Sequence, residues 1–136
     1  MSRLTVAWVT SKPRAESSAT SSPWLPIGCA VTTGFGAVVN TARVRPGQSV
    51  VVIGCGGVGL SVVQSARIVG ASPIVAVDRV PSKLELARSL GAHETVLATE
   101  DGTEAAVRAV VDGAEVVFEC LGHTDTVELA TRLTEP

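Results

Sequence analysis

Apolar positions along this chain fall in short continuous runs, each followed by a turn and then by a longer stretch where they recur every three or four residues. "SVVVIG" at 49–54 and "PIVAVD" at 73–78 are rich in β-branched residues and too short for helices, so both predict strands. Between them, Gly57 to Val69 sets Val58, Val62, Ala66 and Val69 along one helix face. After the second run, Pro81 marks a helix start, Leu84, Ala87 and Leu90 share a face, and Gly91 supplies the stop. "ETVLA" from Glu94 predicts a weaker strand, and "TEAAVRAVV" from Thr103 predicts a helix ended by Gly113. "AEVVFEC" from Ala114 predicts a further strand, and "DTVELATRL" from Asp125 a last helix. Upstream, "IGCAVTTGFGAVVNTARV" at 27–44 predicts an introductory helix, closed by the Pro-Gly turn in "RPGQ".

Strands that are apolar throughout are those covered on both faces, and alternation with helices makes them parallel with right-handed crossovers. The predicted fold is therefore α/β, a doubly wound parallel sheet of Rossmann type preceded by a linker helix. A full sheet of this type has six strands, and four can be placed before Pro136, so the sheet is expected to be incomplete. "SKPRAESSATSSP" at 11–23 lacks the spaced apolar residues that would offset the entropy of ordering. Residues 1–24 are accordingly expected to form a flexible tail, and residues 25–136 the domain.

Composition narrows the class. A length of 136 residues with 46% hydrophobic content suits one domain with its own core. A net charge of −2 without any basic run argues against nucleic acid as a partner. No apolar run approaches the ~18 residues of a membrane span, and "LTVAWV" is shorter than a secretory core of about 7 residues or more. A soluble, cytoplasmic chain with no membrane partner is expected. Cys29, Cys55 and Cys120 form neither an even set nor a C-x-x-C pair, and read most simply as reduced thiols.

The chemistry concentrates between the first strand and its helix, where Gly54-Cys55-Gly56-Gly57-Val58-Gly59 matches G-x-G-x-x-G. Gly54 permits the tight turn, Gly56 lets the backbone approach a pyrophosphate, and Gly59 lets the helix pack closely on the strand. Free N–H groups and the positive end of the helix would then hold phosphate. In isolation the same glycines suit a plain bend equally well. The context favours the dinucleotide: the second strand ends in Asp78, 19 residues past Gly59, where a carboxylate can accept hydrogen bonds from ribose hydroxyls. That charge repels a 2′-phosphate and favours NAD over NADP, although Arg79 beside it could receive one. The alternative for Asp78 is a helix cap or a solvated strand end. A methyltransferase could share a glycine turn and an acidic residue here, but the spacing of the glycines and the long apolar helix after them favour a dinucleotide.

Three segments carry a wider resemblance: "GCAVTTGFGAVVNTARVRPGQSVVVIGCGGVGL", "IVAVDRVPSKLELARSLGA" and "VVFECLG". From about Leu25 to Leu133 the chain resembles the cofactor domain of zinc-dependent medium-chain alcohol dehydrogenases, most of all the glutathione- or mycothiol-linked formaldehyde dehydrogenase branch. The resemblance implies an NAD-dependent oxidoreductase that moves a hydride between an alcohol or S-hydroxymethyl thiol and NAD, with a small alcohol or aldehyde as substrate of the parent enzyme and a homo-oligomer as its assembly. It makes Cys29 a ligand of the catalytic zinc, sets Thr33 and Val58 beside the nicotinamide half of the cofactor, and gives Lys83 a role at the adenosine ribose. Leu121 and Gly122 match the turn along which the cofactor runs. Read alone, Cys29 is more simply a buried small hydrophobe, Lys83 a solvated residue of a first helical turn, and Cys55 and Cys120 structural. His93 and His123 have no partners at ligand spacing and read as surface or loop residues.

The departures matter as much. The family's other zinc ligands and its structural zinc lobe belong to a catalytic domain that precedes the matched region, and the last strands of its cofactor domain follow it. Neither is in this sequence, so the chain reads as a shortened cofactor domain in which zinc belongs to the parent enzyme. No catalytic residue is assigned to it. An inert nucleotide-binding remnant and a zinc-free quinone reductase of the same superfamily are the alternatives; Cys29 together with Thr33 disfavours the second.

Overall fold

The computed structural model describes residues 5–8 and 25–134. Five parallel strands form one sheet: β1 (Thr5–Trp8), β2 (Val50–Ile53), β3 (Ile74–Asp78), β4 (Glu94–Leu97) and β5 (Val116–Glu119), in the spatial order β1-β5-β2-β3-β4. The helices are α1 (Leu25–Gly36), α2 (Gly57–Ile68), α3 (Pro81–Leu90), α4 (Thr103–Arg108) and α5 (Thr124–Leu133). A wider π-type turn, Ala37–Thr41, extends α1.

The strand runs are apolar throughout because both faces of the sheet are covered. Val50, Val52, Ile74, Ala76, Val116 and Phe118 pack under the layer that includes α2 and α3. The alternate residues Val51, Ile53, Val75, Val77 and Val117 join Val107 of α4 and Ala130 and Leu133 of α5 on the other side. Side chains of successive strand residues point to opposite faces, so one uninterrupted run feeds two cores. Gly34 of α1 sits so near α2 that a Cβ there would lie 2.6 Å from the Ser61 Cβ.

All four predicted strands are present, and the parallel α/β sheet is the expected one. β4-β3-β2-β5 follows the 3-2-1-4 order of a doubly wound sheet, which puts its topological switch between β2 and β5. Three expectations are corrected. Residues 1–24 are not tail throughout, because Thr5–Trp8 forms a strand in register with Val116–Glu119; the remainder of 1–24 lies outside the described residues. The physical reason is the open row of N–H and C=O groups on the outer edge of β5, which a four-residue run too short to stand out in the sequence can satisfy. The sheet therefore has five strands among the described residues where four were placed from the sequence. The helix at Thr103 ends at Arg108 rather than running on toward Gly113; beyond it the Val107 carbonyl is shared between Val110 N–H (3.0 Å) and Val111 N–H (2.9 Å), a bifurcated closing turn before the chain returns to β5.

Candidate functional site

The glycine turn joins β2 to α2 at the carboxyl end of the sheet. Gly54 has φ +95°, a conformation that favours glycine, and its N–H donates to the Val77 carbonyl at 2.8 Å. A Cβ on Gly59 would overlap the Gly54 carbonyl oxygen, so the helix can start this close to the strand only with glycine there. Gly56 differs: a Cβ on it would meet nothing within 4 Å. That open side adjoins the start of α2, where the first N–H groups have no partner within the helix. Gly57 faces α1, its missing Cβ 3.2 Å from that of Ala30, and Val58 is buried in the core.

Asp78 ends β3 and is only 7% exposed. Its carboxylate accepts from Cys55 N–H at 2.7 Å and from Val80 N–H at 2.9 Å, so it ties the glycine turn to the next loop. Sequence reasoning foresaw its place but not this bond. Glu119, at the end of β5, was missed altogether. It is completely buried, and its carboxylate accepts from the N–H groups of Leu121 (2.9 Å) and Gly122 (3.0 Å) and from the Thr126 hydroxyl (2.8 Å). The available signal was an acidic residue inside the otherwise apolar run "VVFEC".

A cleft of about 640 Å³ opens beyond the carboxyl ends of β2 and β3, lined by Ile53, Asp78, Arg79, Lys83, Leu121 and Leu129 among others. Arg79 and Lys83 are exposed at it, and acidic side chains from the β4–α4 loop share the lining. Across the cleft Glu104 bonds Arg132 (2.8 Å) and Arg108 (3.3 Å); these bonds, Arg132 foremost, hold its carboxyl below the usual range. The Leu121 side chain reaches back under the turn, 2.7 Å from where a Gly54 Cβ would stand.

Cys29 and Thr33 sit one turn apart on α1, their Sγ and Oγ1 4.0 Å from each other, and neither lines the cleft. Cys29 is exposed rather than buried. Burial, the Asp78 charge and, against them, Lys83 set the Cys55 thiol at about 12. Burial first, then Glu119 and Cys55, push Cys120 to about 12 as well. His93 is exposed, as expected, yet its Nδ1 accepts from Ile74 N–H at 3.0 Å.

The family model described as "Zinc-binding dehydrogenase" matches residues 57–136, more than half of the chain. The chain belongs to the zinc-binding dehydrogenase family. Similar relatives include an S-(hydroxymethyl)glutathione dehydrogenase of Synechocystis, 44% identical over 108 residues, and a class-3 alcohol dehydrogenase of Myxine glutinosa, 39% identical over 107 residues. Each match takes in 76% of this chain but 29% and 28% of the relative, so the chain spans about three-tenths of their length. Among solved structures, the alcohol dehydrogenase TADH of Thermus sp. ATN1 superposes with a TM-score of 0.74 at 38% identity, covering 81% of this chain and 32% of that one. Benzyl alcohol dehydrogenase of Acinetobacter calcoaceticus gives 0.73 at 37% identity, covering 83% and 32%. These relatives are named dehydrogenases, so the zinc-binding dehydrogenase family is enzymatic and the α/β sheet described above is a domain of that oxidoreductase fold.

Zinc itself does not fit the described residues, among which no three His, Cys, Asp or Glu side chains gather as a metal site. Cys29 alone is too few donors for an ion that takes four ligands.

Proposed function

We propose that this chain binds NAD at the glycine turn, as the cofactor domain of a zinc-type alcohol dehydrogenase. The observation that carries the reading is the contrast between Gly59, where the fold itself requires glycine, and Gly56, where the fold leaves the space of a side chain empty. Glycine at Gly56 has no packing reason, and close approach of a pyrophosphate supplies one. The N–H groups of the first turn of α2 are the donors for that phosphate, aided by the helix dipole. Asp78 is held still by two backbone N–H groups, and each of its oxygens keeps a lone pair for a ribose hydroxyl. Arg79 and Lys83 stand at the same rim.

Bound nicotinamide supplies a hydride acceptor or donor, and the chain's part is to hold and orient it. Cys29 and Thr33 lie on α1, whose Ala30 packs against Gly57 at the start of α2, and the family resemblance sets the nicotinamide half beside them. In the whole enzyme Cys29 would contribute one thiolate to the catalytic zinc, and an alcohol or S-hydroxymethyl thiol would be the substrate. Three unpaired thiols fit a reducing, cytoplasmic setting.

Calorimetric titration of NAD into the purified chain tests the reading, with NADP and S-adenosylmethionine as controls and Gly56→Val as the variant. Saturable binding of NAD that Gly56→Val abolishes supports it. Absence of binding by the wild-type chain overturns it and leaves an inert remnant of the fold.

A further inference from the structure

Glu119 is the one completely buried carboxylate among the described residues, and no lysine, arginine or histidine pairs with it there. A buried anion is costly unless hydrogen bonds replace its water, and here backbone and hydroxyl donors do so. Leu121 N–H donates to Oε1, Gly122 N–H reaches both oxygens, and the Thr126 hydroxyl donates to Oε1 at 2.8 Å, with the His123 carbonyl at 2.9 Å as its competing acceptor. Every donor comes from the loop after β5 or from the first turn of α5. Those same elements give Leu121, Asp125, Thr126 and Leu129 to the cleft wall. Leu121 in turn fills the space beneath Gly54, so the carboxylate braces the glycine turn through a single side chain.

Asp78 and Glu119 thus stand as a pair on the two strands that flank β2. One ties Cys55 to the β3–α3 loop; the other ties Leu121 and Gly122 to the end of β5. We infer that Glu119 is a positioning residue for the dinucleotide: its carboxylate fixes the β5–α5 loop so that Leu121 and the cleft wall meet the cofactor. This rests on NAD as the ligand of the glycine turn.

Glu119→Gln keeps the shape and an acceptor at Oε1 but removes the charge and turns an NH₂ toward Gly122 N–H, which loses its second acceptor. Thr126→Val removes a single hydroxyl at nearly constant volume, and Thr126→Ser restores it. Calorimetry with NAD is combined with amide hydrogen exchange at Leu121 and Gly122. Expected are faster exchange at both amides in Glu119→Gln and an NAD affinity lower by about tenfold or more, from loss of charge-assisted bonds. Thr126→Val weakens binding several-fold and Thr126→Ser does not; this pair decides the matter should Glu119→Gln fail to fold. Wild-type affinity in a folded Glu119→Gln, or equal weakening by Thr126→Val and Thr126→Ser, overturns the inference while the NAD reading stands. A wild-type chain that binds no NAD overturns both.

Discussion

A methyl group on Gly59 would have to share space with the Gly54 carbonyl oxygen, whereas one on Gly56 would point into open space. Gly59→Ala is expected to destabilise the chain by about 3 kcal/mol or more, since neither backbone can yield without moving β2 away from α2. Gly56→Ala should stay within about 0.5 kcal/mol of wild type. Urea denaturation of the two variants measures the difference. The thiols give a second prediction at this scale. Cys55 and Cys120 are raised to about 12 from an ordinary 9.0, so the unfolded chain releases their protons first. Their stabilising contribution is complete below about pH 9 and is lost as pH rises toward 12, with a slope of about 1.4 kcal/mol per pH unit for each thiol. Denaturation midpoints between pH 8 and 11 should fall, and fall less in Cys55→Ala. At pH 8 a maleimide should label the exposed Cys29 and leave the other two unmodified.

Elements in this fold are defined by what they cover. β4 closes one edge of the sheet with an exposed Glu94 paired to Arg88 at 3.7 Å, a charged edge of the kind that discourages further pairing. At the other edge β1 is the outermost strand, and β5 lies inside it. Removal of residues 1–8 would expose the ladder of β5, whose residues Val116, Val117 and Phe118 are buried and apolar. The shortened chain is expected to associate as its concentration rises, while the full chain does so less. Light scattering after size-exclusion chromatography at several loading concentrations distinguishes them, and identical behaviour would mean that β1 does not protect this edge.

Across the molecule, the cleft is assembled from the ends of β2 and β3, the loops after β4 and β5, and residues of α3, α4 and α5, so a ligand there couples elements that are remote in sequence. NAD at a hundred times its Kd should raise stability by about 2.7 kcal/mol through mass action, read as an upward shift in Tm. Asp78→Ala should lose most of that shift, because the same change frees the Cys55 N–H and removes the proposed ribose acceptor. Retention of the full shift in Asp78→Ala would place the ribose elsewhere.

The sequence by itself determined four of the five described strands, β2 to β5, their parallel sense, the covering helices and the glycine turn. Runs such as "VVVI" and "IVAVD" can be satisfied only by burial on both faces, and Gly59 and Asp78 mark their positions by type and spacing. Tertiary structure alone decided what depends on contacts between distant segments. "TVAW" becomes a strand because β5 has an open edge, which no local pattern announces. Asp78 bonds an amide 23 residues earlier in the chain, and the importance of Glu119 lies in which loop folds back over its carboxylate. Local sequence carries periodicity and turn chemistry; which groups a buried charge meets is fixed only once the chain has folded.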